Sequence, residues 1–331
     1  MILTVTPNPA LDLTWHADRL EPGRTHRVPP GAVRAGGKGL NVARVLHAQG
    51  IDVVALATAG GASGAELAAD LERTGIRHRL VPVAGATRRS LAIVDDHAGE
   101  ATVLNESGAP LAPDEVAALL DEAVRLAAEA SVVAVSGSLP PGLAPEALGD
   151  AVARWVATGA TVVADVAGPA LLAAARARAA VLKPNRDELA EALGDGDPEA
   201  GARRLLELGA GLVVVSLGAD GLLVVAPDRP PVRARLGRAL RGNATGAGDA
   251  AVAAITSVLA ESLDDARAER GAAAGRADTA VPLDAAVLRR LARRAVAWSA
   301  SAVLMPLAGD LHPSHVDLEP EVLLSPDQEP A

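Results

Sequence analysis

Several residue types are missing or scarce in this chain of 331 residues. It contains no cysteine, no phenylalanine and no tyrosine, and tryptophan occurs three times. The lack of cysteine excludes disulfides, thiolate metal sites and thiol nucleophiles. The hydrophobic content of 50% still allows the chain to bury one large core or two modest ones.

Basic residues are fewer than acidic ones, and long apolar runs are absent. The formal net charge is -10 at pH 7, which opposes binding to nucleic acid or to an anionic membrane. No hydrophobic run has the length that crosses a membrane, and MILTVTPNPALD predicts a strand and a turn rather than a signal peptide. We therefore expect an untargeted cytoplasmic protein that attracts any anionic substrate with a few local cations.

Lysine is the rarest of the charged residues. Of the 31 basic residues, Lys38 and Lys183 alone are lysine. Where arginine stands nearly everywhere else, a retained lysine indicates a position that needs a compact ammonium rather than a planar guanidinium; chance survival is the alternative. Asparagine occurs five times, and Asn105 lies outside the motifs described below, at the end of a predicted strand.

Short β-branched runs alternate with stretches rich in alanine and leucine, which predicts an α/β fold. The nearly continuous apolar runs indicate a parallel sheet covered on both faces: ILTVT, DVVALAT, SVVAVSG, ATVVADV, AVLKPN and GLVVVSLGA. Two segments interrupt the alternation, namely residues 13–33 and a predicted hairpin that begins at TRRSLAIV and ends at ATVLNE. The low-complexity stretch 266–284 predicts a mobile loop or a frayed helix.

One glycine-rich segment combines two features that phosphoryl transfer to an alcohol requires. Gly246, Ala247 and Gly248 open an alanine-rich helix, and Asp249 follows them directly. Amides at a helix start attract phosphate oxygens, and a carboxylate there can accept the proton of the attacking hydroxyl. The alternative is a glycine turn that only starts a buried helix, with Asp249 favoured by charge in the first turn.

Two common nucleotide motifs are absent. A P-loop ending at Lys38 would need glycine at position 32 and serine or threonine at position 39, where Ala32 and Gly39 stand. A dinucleotide site would need G-x-G-x-x-G after the first strand, where TPNPALD stands.

Five further segments occur in a fixed order before this helix: TPNPALD with Asp12, GGKGLNVARVL from Gly36, VSGSLPPG from Val135, KPNRDEL from Lys183 and VVVSLGADG from Val213. Together they resemble the ribokinase and phosphofructokinase B family of sugar kinases, in the branch of 1-phosphofructokinase and tagatose-6-phosphate kinase. The resemblance extends from about residue 1 to the helix beyond Asp249. It implies a ribokinase-like three-layer sandwich with a central, mostly parallel sheet and a small β-sheet lid.

The resemblance also implies a domain organisation. It predicts one kinase domain over residues 1–310, with lid segments at about 12–35 and 85–106. An acidic, proline-containing tail is expected over residues 311–331. The resemblance also allows two copies of the chain to form a homodimer through the lid.

The resemblance assigns the acceptor side to residues of the first three motifs. It implies that Asp12 holds sugar hydroxyls and that Arg88 reaches a phosphate already carried by the sugar, with Arg89 on the other sheet face. A turn cap for Asp12 and solvated edge residues for the arginines are the alternatives. The other implied substrate contacts are Gly37, Lys38, Asn41 and Ser138, of which Lys38 could instead be solvated and Ser138 could belong to a tight turn.

The nucleotide side falls to the later motifs. The resemblance implies that Lys183 approaches ATP and that Asn185 and Glu188 organise the waters of a phosphate-bound Mg²⁺, an ion that loses water reluctantly. A helix capping box formed by the same two residues is compatible with that role. Ser216, Gly218 and Gly221 resemble the turn against which ATP lies, where adenine would have to lie between aliphatic groups because aromatic residues are so few.

The resemblance therefore implies an ATP-dependent kinase that converts a hexose phosphate to the bisphosphate, with Asp249 as general base. Asn243 stands where ribokinase-type members carry aspartate, which favours a phosphorylated acceptor. A ribose or nucleoside kinase of the same fold and a non-catalytic sugar-phosphate sensor are the alternatives. The sequence does not distinguish fructose 1-phosphate, fructose 6-phosphate and tagatose 6-phosphate.

Overall fold

Strands and helices alternate along the chain, as the sequence predicts. The computed structural model describes residues 1–194, 196–238, 240–270 and 283–325. The strands in this part are β1 (Ile2–Thr6), β2 (Ala10–Ala17), β3 (Ala32–Gly36), β4 (Val53–Ala59), β5 (His78–Pro82), β6 (Arg88–Asp95), β7 (Glu100–Asn105), β8 (Val132–Ser136), β9 (Thr161–Asp165), β10 (Val181–Leu182), β11 (Leu212–Ser216), β12 (Leu222–Val225), β13 (Val232–Leu236) and β14 (Val322–Ser325). The helices are α1 (Lys38–Ala48), α2 (Gly61–Thr74), α3 (Pro113–Ala127), α4 (Pro145–Ala157), α5 (Pro169–Arg176), α6 (Arg186–Leu193), α7 (Pro198–Glu207), α8 (Ala247–Arg270), α9 (Ala285–Ala302) and α10 (His315–Glu321).

The central sheet is mostly parallel. Among the described strands, ten form it in the order β14-β13-β12-β11-β10-β9-β8-β1-β4-β5. The strands from β11 to β5 in this order run parallel to one another. The three strands at the other end each pair antiparallel with their neighbour. All six strands predicted from apolar runs belong to the parallel part.

Successive side chains of these strands enter two separate cores. In β8, Val132 and Ala134 pack into one core, whereas Val133 and Val135 pack into the other. Both faces are therefore apolar, which explains why the strands are nearly continuous hydrophobic runs rather than alternating ones. Buried residues of α1, α2, α8, α9 and α10 complete the first core, and those of α3 to α7 complete the second. The result is a three-layer sandwich.

A second, smaller sheet contains the predicted lid segments. Its described strands lie in the order β3-β2-β6-β7. The predicted hairpin is present, because β6 and β7 pair antiparallel from Ser90 opposite Asn105 to Asp95 opposite Glu100. Strand β2 joins this hairpin in parallel and pairs antiparallel with β3. We call this four-stranded sheet the lid and the three-layer sandwich the body.

The C-terminal segment differs from the expected separate tail. Residues 315–325 form α10 and β14, and β14 extends the central sheet by pairing with β13. Leu318, Val322 and Leu324 are buried in the first core, so their burial joins this segment to the body. Residues 326–331 lie outside the described part.

Two other expectations concern long helices. The stretch 266–284, predicted as a mobile loop or frayed helix, begins as the last turn of α8, which extends to Arg270; residues 271–282 lie outside the described part. Among the described helices, none combines the length and the apolar character needed to cross a membrane.

Candidate active site

The sequence motifs converge at one edge of the central sheet. Because the strands are parallel, their carboxyl ends meet there, as in other open α/β sheets. Ser138 follows β8, Asp165 ends β9, Lys183 follows β10 and Ser216 ends β11. Asp249 lies in the first turn of α8, whose start reaches the same edge. The motifs that are far apart in sequence therefore form one site.

A buried carboxylate lies between the chain's two lysines. Asp165 Oδ1 lies 3.3 Å from Lys183 Nζ, and its Oδ2 lies 3.6 Å from Lys38 Nζ. Asp165 and Lys183 are buried, whereas Lys38 is partly exposed and also lies 3.4 Å from Glu188 Oε1. The pKa of Lys38 is raised, chiefly by the charge of Asp165. Lys38 therefore remains charged at this site.

Asp249 is buried beside this cluster. Asn41 Nδ2 donates a hydrogen bond to Asp249 Oδ2 at 2.8 Å. Burial and the neighbouring charge of Asp165 raise the pKa of Asp249 to about 7, against the opposing effects of Asn41, Lys38 and Lys183. A carboxylate with that pKa can exchange a proton near neutral pH.

The start of α8 forms a tight turn beside Lys183. Gly246 has φ +86°, and a Cβ there would lie 2.8 Å from the Ala308 Cα, so glycine is required on both counts. A Cβ on Gly248 would lie 3.6 Å from Lys183 Nζ, which places this backbone next to the ammonium group. The first N–H groups of a helix have no partner within the helix and favour anions.

These residues fit a triphosphate. Neither carboxylate oxygen of Asp165 has a hydrogen-bond partner within the described residues, although both face an ammonium group. The helix start and the two lysines supply donors and positive charge at one point. No group of three or more acidic or histidine side chains in the described residues could hold a metal ion directly.

Asn185 and Glu188 form a capping box at the start of α6. Asn185 Oδ1 accepts a hydrogen bond from the Glu188 N–H at 2.8 Å, and Glu188 Oε2 accepts one from the Asn185 N–H at 2.9 Å. The capping interpretation of these two residues is thus confirmed. Glu188 Oε1 is directed to Lys38 instead, so this side chain reaches the charged cluster as well.

The lid lines one wall of an open cleft beside these residues. Asp12 lies on β2, directly opposite Arg34 on β3 and Ser90 on β6, so the three share one face of the lid. Burial raises the pKa of Asp12 to about 6, although Arg88, Arg34, Arg44 and the Gly37 N–H lower it. This face lines an open cleft of about 580 Å³, together with Asn41, Asn243 and the segment 306–308.

Arg88 and Ser138 are brought together by Asn8. Arg88 Nε donates to the Asn8 carbonyl at 3.2 Å, and Asn8 Nδ2 donates to Ser138 Oγ at 3.1 Å. Arg88 lines an adjoining cleft of about 300 Å³ with Asn8. Residues alternate along β6, so Arg88 and Ser90 share the cleft face and the exposed Arg89 lies on the other.

The turn that contains Ser216, Gly218 and Gly221, predicted to lie against ATP, has fewer contacts with the other residues of the site. Asn185, at the start of α6, forms an isolated parallel β-bridge with Ser216, and the Ser216 N–H donates to the Pro184 carbonyl at 3.0 Å. Among the contacts of the described residues, none joins Gly218 or Gly221 to Asp249. A Cβ on Gly221 would lie 2.0 Å from the Ala234 carbonyl oxygen, so that glycine is needed for the approach of β13.

Sequence reasoning missed Asp165 and Arg34. The strand ATVVADV was recognised, and Asp165 stands at its carboxyl end, the position where open α/β sheets bind ligands. Applying the same criterion to every parallel strand would have found it. Arg34 had a weaker signal, because its partner in the body, Asp310, is 276 residues away in sequence.

The fold and the site together define a carbohydrate kinase with a ribokinase-like architecture, in which a small β-sheet lid lies beside a helix start that carries a buried carboxylate. The profile of the pfkB family of carbohydrate kinases matches residues 7–280, and the chain belongs to this family. It is a phosphotransferase that acts on an alcohol and uses ATP.

Individual relatives agree with this assignment. The chain is 36% identical over 313 residues to a 1-phosphofructokinase of Xanthomonas campestris, a match that covers 92% of the chain and 97% of that protein. The structure of Escherichia coli phosphofructokinase-2 in complex with fructose-6-phosphate aligns with a TM-score of 0.81 at 27% identity, over 96% of this chain and 98% of that one. Thermotoga maritima ribokinase shares the fold, with a TM-score of 0.70 at 20% identity over 97% and 98% of the two chains.

The contact between Gly36 and Asp12 yields a first prediction. A Cβ on Gly36 would lie 2.0 Å from Asp12 Oδ2, so Gly36→Ala must displace the carboxylate. We expect the KM for the sugar acceptor to rise by roughly ten- to a hundredfold, the size of a lost hydrogen bond to a charged group, with the KM for ATP nearly unchanged. Gly196→Ala is the matched control, because its Cβ would meet nothing within 4 Å. Equal acceptor KM values in the two variants would contradict the prediction.

The hydrogen bond from Asn41 yields a second prediction. We expect kcat/KM to rise with pH through about 7 as Asp249 ionises. Asn41→Leu removes a donor that favours the ionised form, and this rising limb should move to higher pH by about 1–2 units. The pH profile of kcat/KM measures the shift. A variant that only binds acceptor poorly would lose activity at every pH and leave the limb in place.

Proposed function

We propose that this kinase transfers the γ-phosphoryl group of ATP to a ketohexose monophosphate, with fructose 1-phosphate as the preferred acceptor. The observation that carries the proposal is Asp249, a buried carboxylate with a pKa of about 7 at a helix start beside Lys183. The similarity to a 1-phosphofructokinase over nearly its whole length supports the choice of acceptor. Fructose 6-phosphate, bound in the Escherichia coli structure, and tagatose 6-phosphate are the competing acceptors.

On the acceptor side, Asp12 would accept hydrogen bonds from sugar hydroxyls at the cleft face of the lid. Arg88 would bind the phosphate already on the sugar. Two of its N–H groups are used by the carbonyls of Asn8 and Glu106, which fix the guanidinium. The remaining donors of its planar fork suit a phosphate.

The reaction itself needs one proton acceptor. As the acceptor hydroxyl oxygen bonds to the γ-phosphorus, its proton passes to a carboxylate oxygen of Asp249 and the bond from phosphorus to the ADP oxygen breaks. Asn41 holds that carboxylate through Oδ2. Meanwhile Lys183 and the N–H groups around Gly246, Ala247 and Gly248 stabilise the charge on the transferring group. Ionised Asp249 is well populated at neutral pH because its pKa lies there.

The nucleotide side completes the proposed site. Ser216, Gly218 and Gly221 would provide the turn against which ATP lies. Asn185 and Glu188 would hold the waters of Mg²⁺. When bound, Mg²⁺ supplies positive charge to the phosphate oxygens and orients them. Lys38 adds to that charge from the other side of Asp165.

We also propose that the enzyme works in the cytoplasm and forms a homodimer through the lid. Every residue of β7 is exposed, including Val103 and Leu104, of which Leu104 is 58% exposed. An exposed edge strand with apolar residues favours association with a second chain. The related Escherichia coli phosphofructokinase-2 has a tetrameric form.

An ADP-release assay tests the proposed reaction. We expect turnover with fructose 1-phosphate to exceed that with fructose 6-phosphate and tagatose 6-phosphate, and free hexoses, ribose and nucleosides to react weakly. Asp249→Asn should reduce turnover by roughly 10²–10⁴, the contribution typical of a general base, and leave ATP binding nearly intact. A preference for free ribose or a nucleoside, or near-normal turnover of Asp249→Asn, would refute the proposal.

The two adjacent arginines of β6 test the phosphate anchor. Arg88→Ala should lower kcat/KM for the phosphorylated acceptor by about 2–3 kcal/mol, the upper range for a charge-assisted hydrogen bond. Weak activity on the unphosphorylated sugar should hardly change. Arg89→Ala is the matched control, because this neighbour lies exposed on the opposite face. Equal losses on both substrates would show a folding defect or a different role for Arg88.

A further inference from the structure

One ion pair joins the lid directly to the body beside the acceptor cleft. Arg34 lies on β3 of the lid, and Asp310 lies beyond α9 in the body. The pair is bidentate, with Nη1 to Oδ2 at 2.8 Å and Nη2 to Oδ1 at 2.9 Å. The side chains are 18% and 32% exposed, so the contact is partly shielded from water. Two parallel hydrogen bonds fix the orientation of the guanidinium as well as its distance.

The body side of this pair belongs to a segment that touches the catalytic residues. We call residues 306–310 the strap. The Pro306 carbonyl accepts a hydrogen bond from Asn243 Nδ2 at 3.1 Å, and the Ala308 backbone closely approaches Gly246. A Cβ on Gly309 would lie 3.3 Å from Asn41 Oδ1, and Asn41 is the donor to Asp249. The strap therefore contacts the turn that precedes α8, at Asn243 and Gly246, and also Asn41, which donates to Asp249.

The lid side of the pair belongs to the acceptor site. Arg34 stands directly opposite Asp12 in the pairing of β3 with β2. It is also the one cation among the described residues that line the larger cleft. A shift of Arg34 relative to the strap must therefore move the carboxylate that would hold the sugar hydroxyls.

A partly exposed ion pair of this kind contributes little to overall stability. Its position suggests a different consequence, because the lid carries the acceptor carboxylate and the body carries the base. The separation of those two groups depends on how the lid is seated, and small displacements of reacting groups reduce rates strongly. Fixing the lid to the strap would keep the acceptor hydroxyl within reach of Asp249.

We infer that the Arg34–Asp310 pair is a latch that seats the lid over the acceptor site, with Asp310 as a positioning residue for acceptor binding. This inference rests on the proposed function for the identity of the acceptor. It does not require Asp310 to touch substrate. It predicts that Arg34 and Asp310 each affect acceptor binding only through their contact with one another.

A double-mutant cycle tests the latch. We expect Arg34→Gln and Asp310→Asn each to raise the KM for the acceptor by about five- to tenfold and to lower kcat as well, with the KM for ATP within twofold of the parent enzyme. The double variant should be no worse than the more affected single variant, because the same contact is lost. Asp310→Asn is the more informative single change, since it leaves the charge of Arg34 beside Asp12. Asp121→Asn is the matched control, because it removes an exposed ion pair with Arg154 within the body.

Hydrogen exchange of the lid amides provides a readout that does not depend on turnover. Exchange in β2 and β3 should be faster in both single variants than in the parent enzyme. The double variant should show no further increase, and Asp121→Asn should leave the exchange unchanged. Failure of the proposed function would appear as a parent enzyme inactive on hexose phosphates, with this exchange pattern still present. The latch is overturned by unchanged exchange and acceptor KM. Additive losses, or a large effect of Arg34→Gln with none of Asp310→Asn, would also overturn it and indicate that Arg34 contacts the acceptor itself.

Discussion

The burial of Asp165 imposes the constraint around which the site is arranged. A carboxylate removed from water is costly unless cations face it, and Lys183 and Lys38 lie beside its two oxygens. The same negative charge opposes ionisation of Asp249, whereas Lys38 and Lys183 favour it. Keeping Asp165 in place therefore fixes both ammonium groups near the helix start where a phosphate would bind. This requirement gives a physical reason why the chain's two lysines occur here: each approaches a carboxylate as a compact charge.

The fold could be predicted from the sequence where burial leaves a strong pattern. Strands covered on both faces appear as continuous apolar runs, and all six that were identified lie in the parallel part of the sheet. The C-terminal segment, which was expected to be a separate tail, lacks such a pattern. Strand β14 lies at the sheet edge with Leu323 half exposed and Leu324 buried, so its four residues alternate and carry too short a signal. What joins it to the body is pairing with β13, which is not visible in a local pattern.

The site shows a similar division. Motif residues such as Asp249 and Lys183 could be selected because Asp249 stands at a helix start and Lys183 directly follows a strand. What the sequence could not provide was the partner of each group. It associated Asn41 with the substrate, yet the Asn41 amide donates to Asp249, 208 residues away. Local pairs were accessible: the capping box of Asn185 and Glu188 spans three residues and was foreseen as an alternative. Contacts between distant segments required the three-dimensional arrangement.

Two carboxylates with raised pKa values lie in different parts of the molecule. Asp12 belongs to the lid and Asp249 to the body, and burial is the largest cause of both shifts. Water exclusion in a seated lid strengthens every charge interaction in the cleft, including the attraction of Arg88 and Arg34 for Asp12. A lid that lifted would hydrate Asp12, move it away from the body and weaken these interactions at once. Acceptor binding and base geometry are therefore linked through the seating of one small sheet. The link arises because Asp12 lies in the lid and Asp249 lies in the body, rather than both on one rigid element.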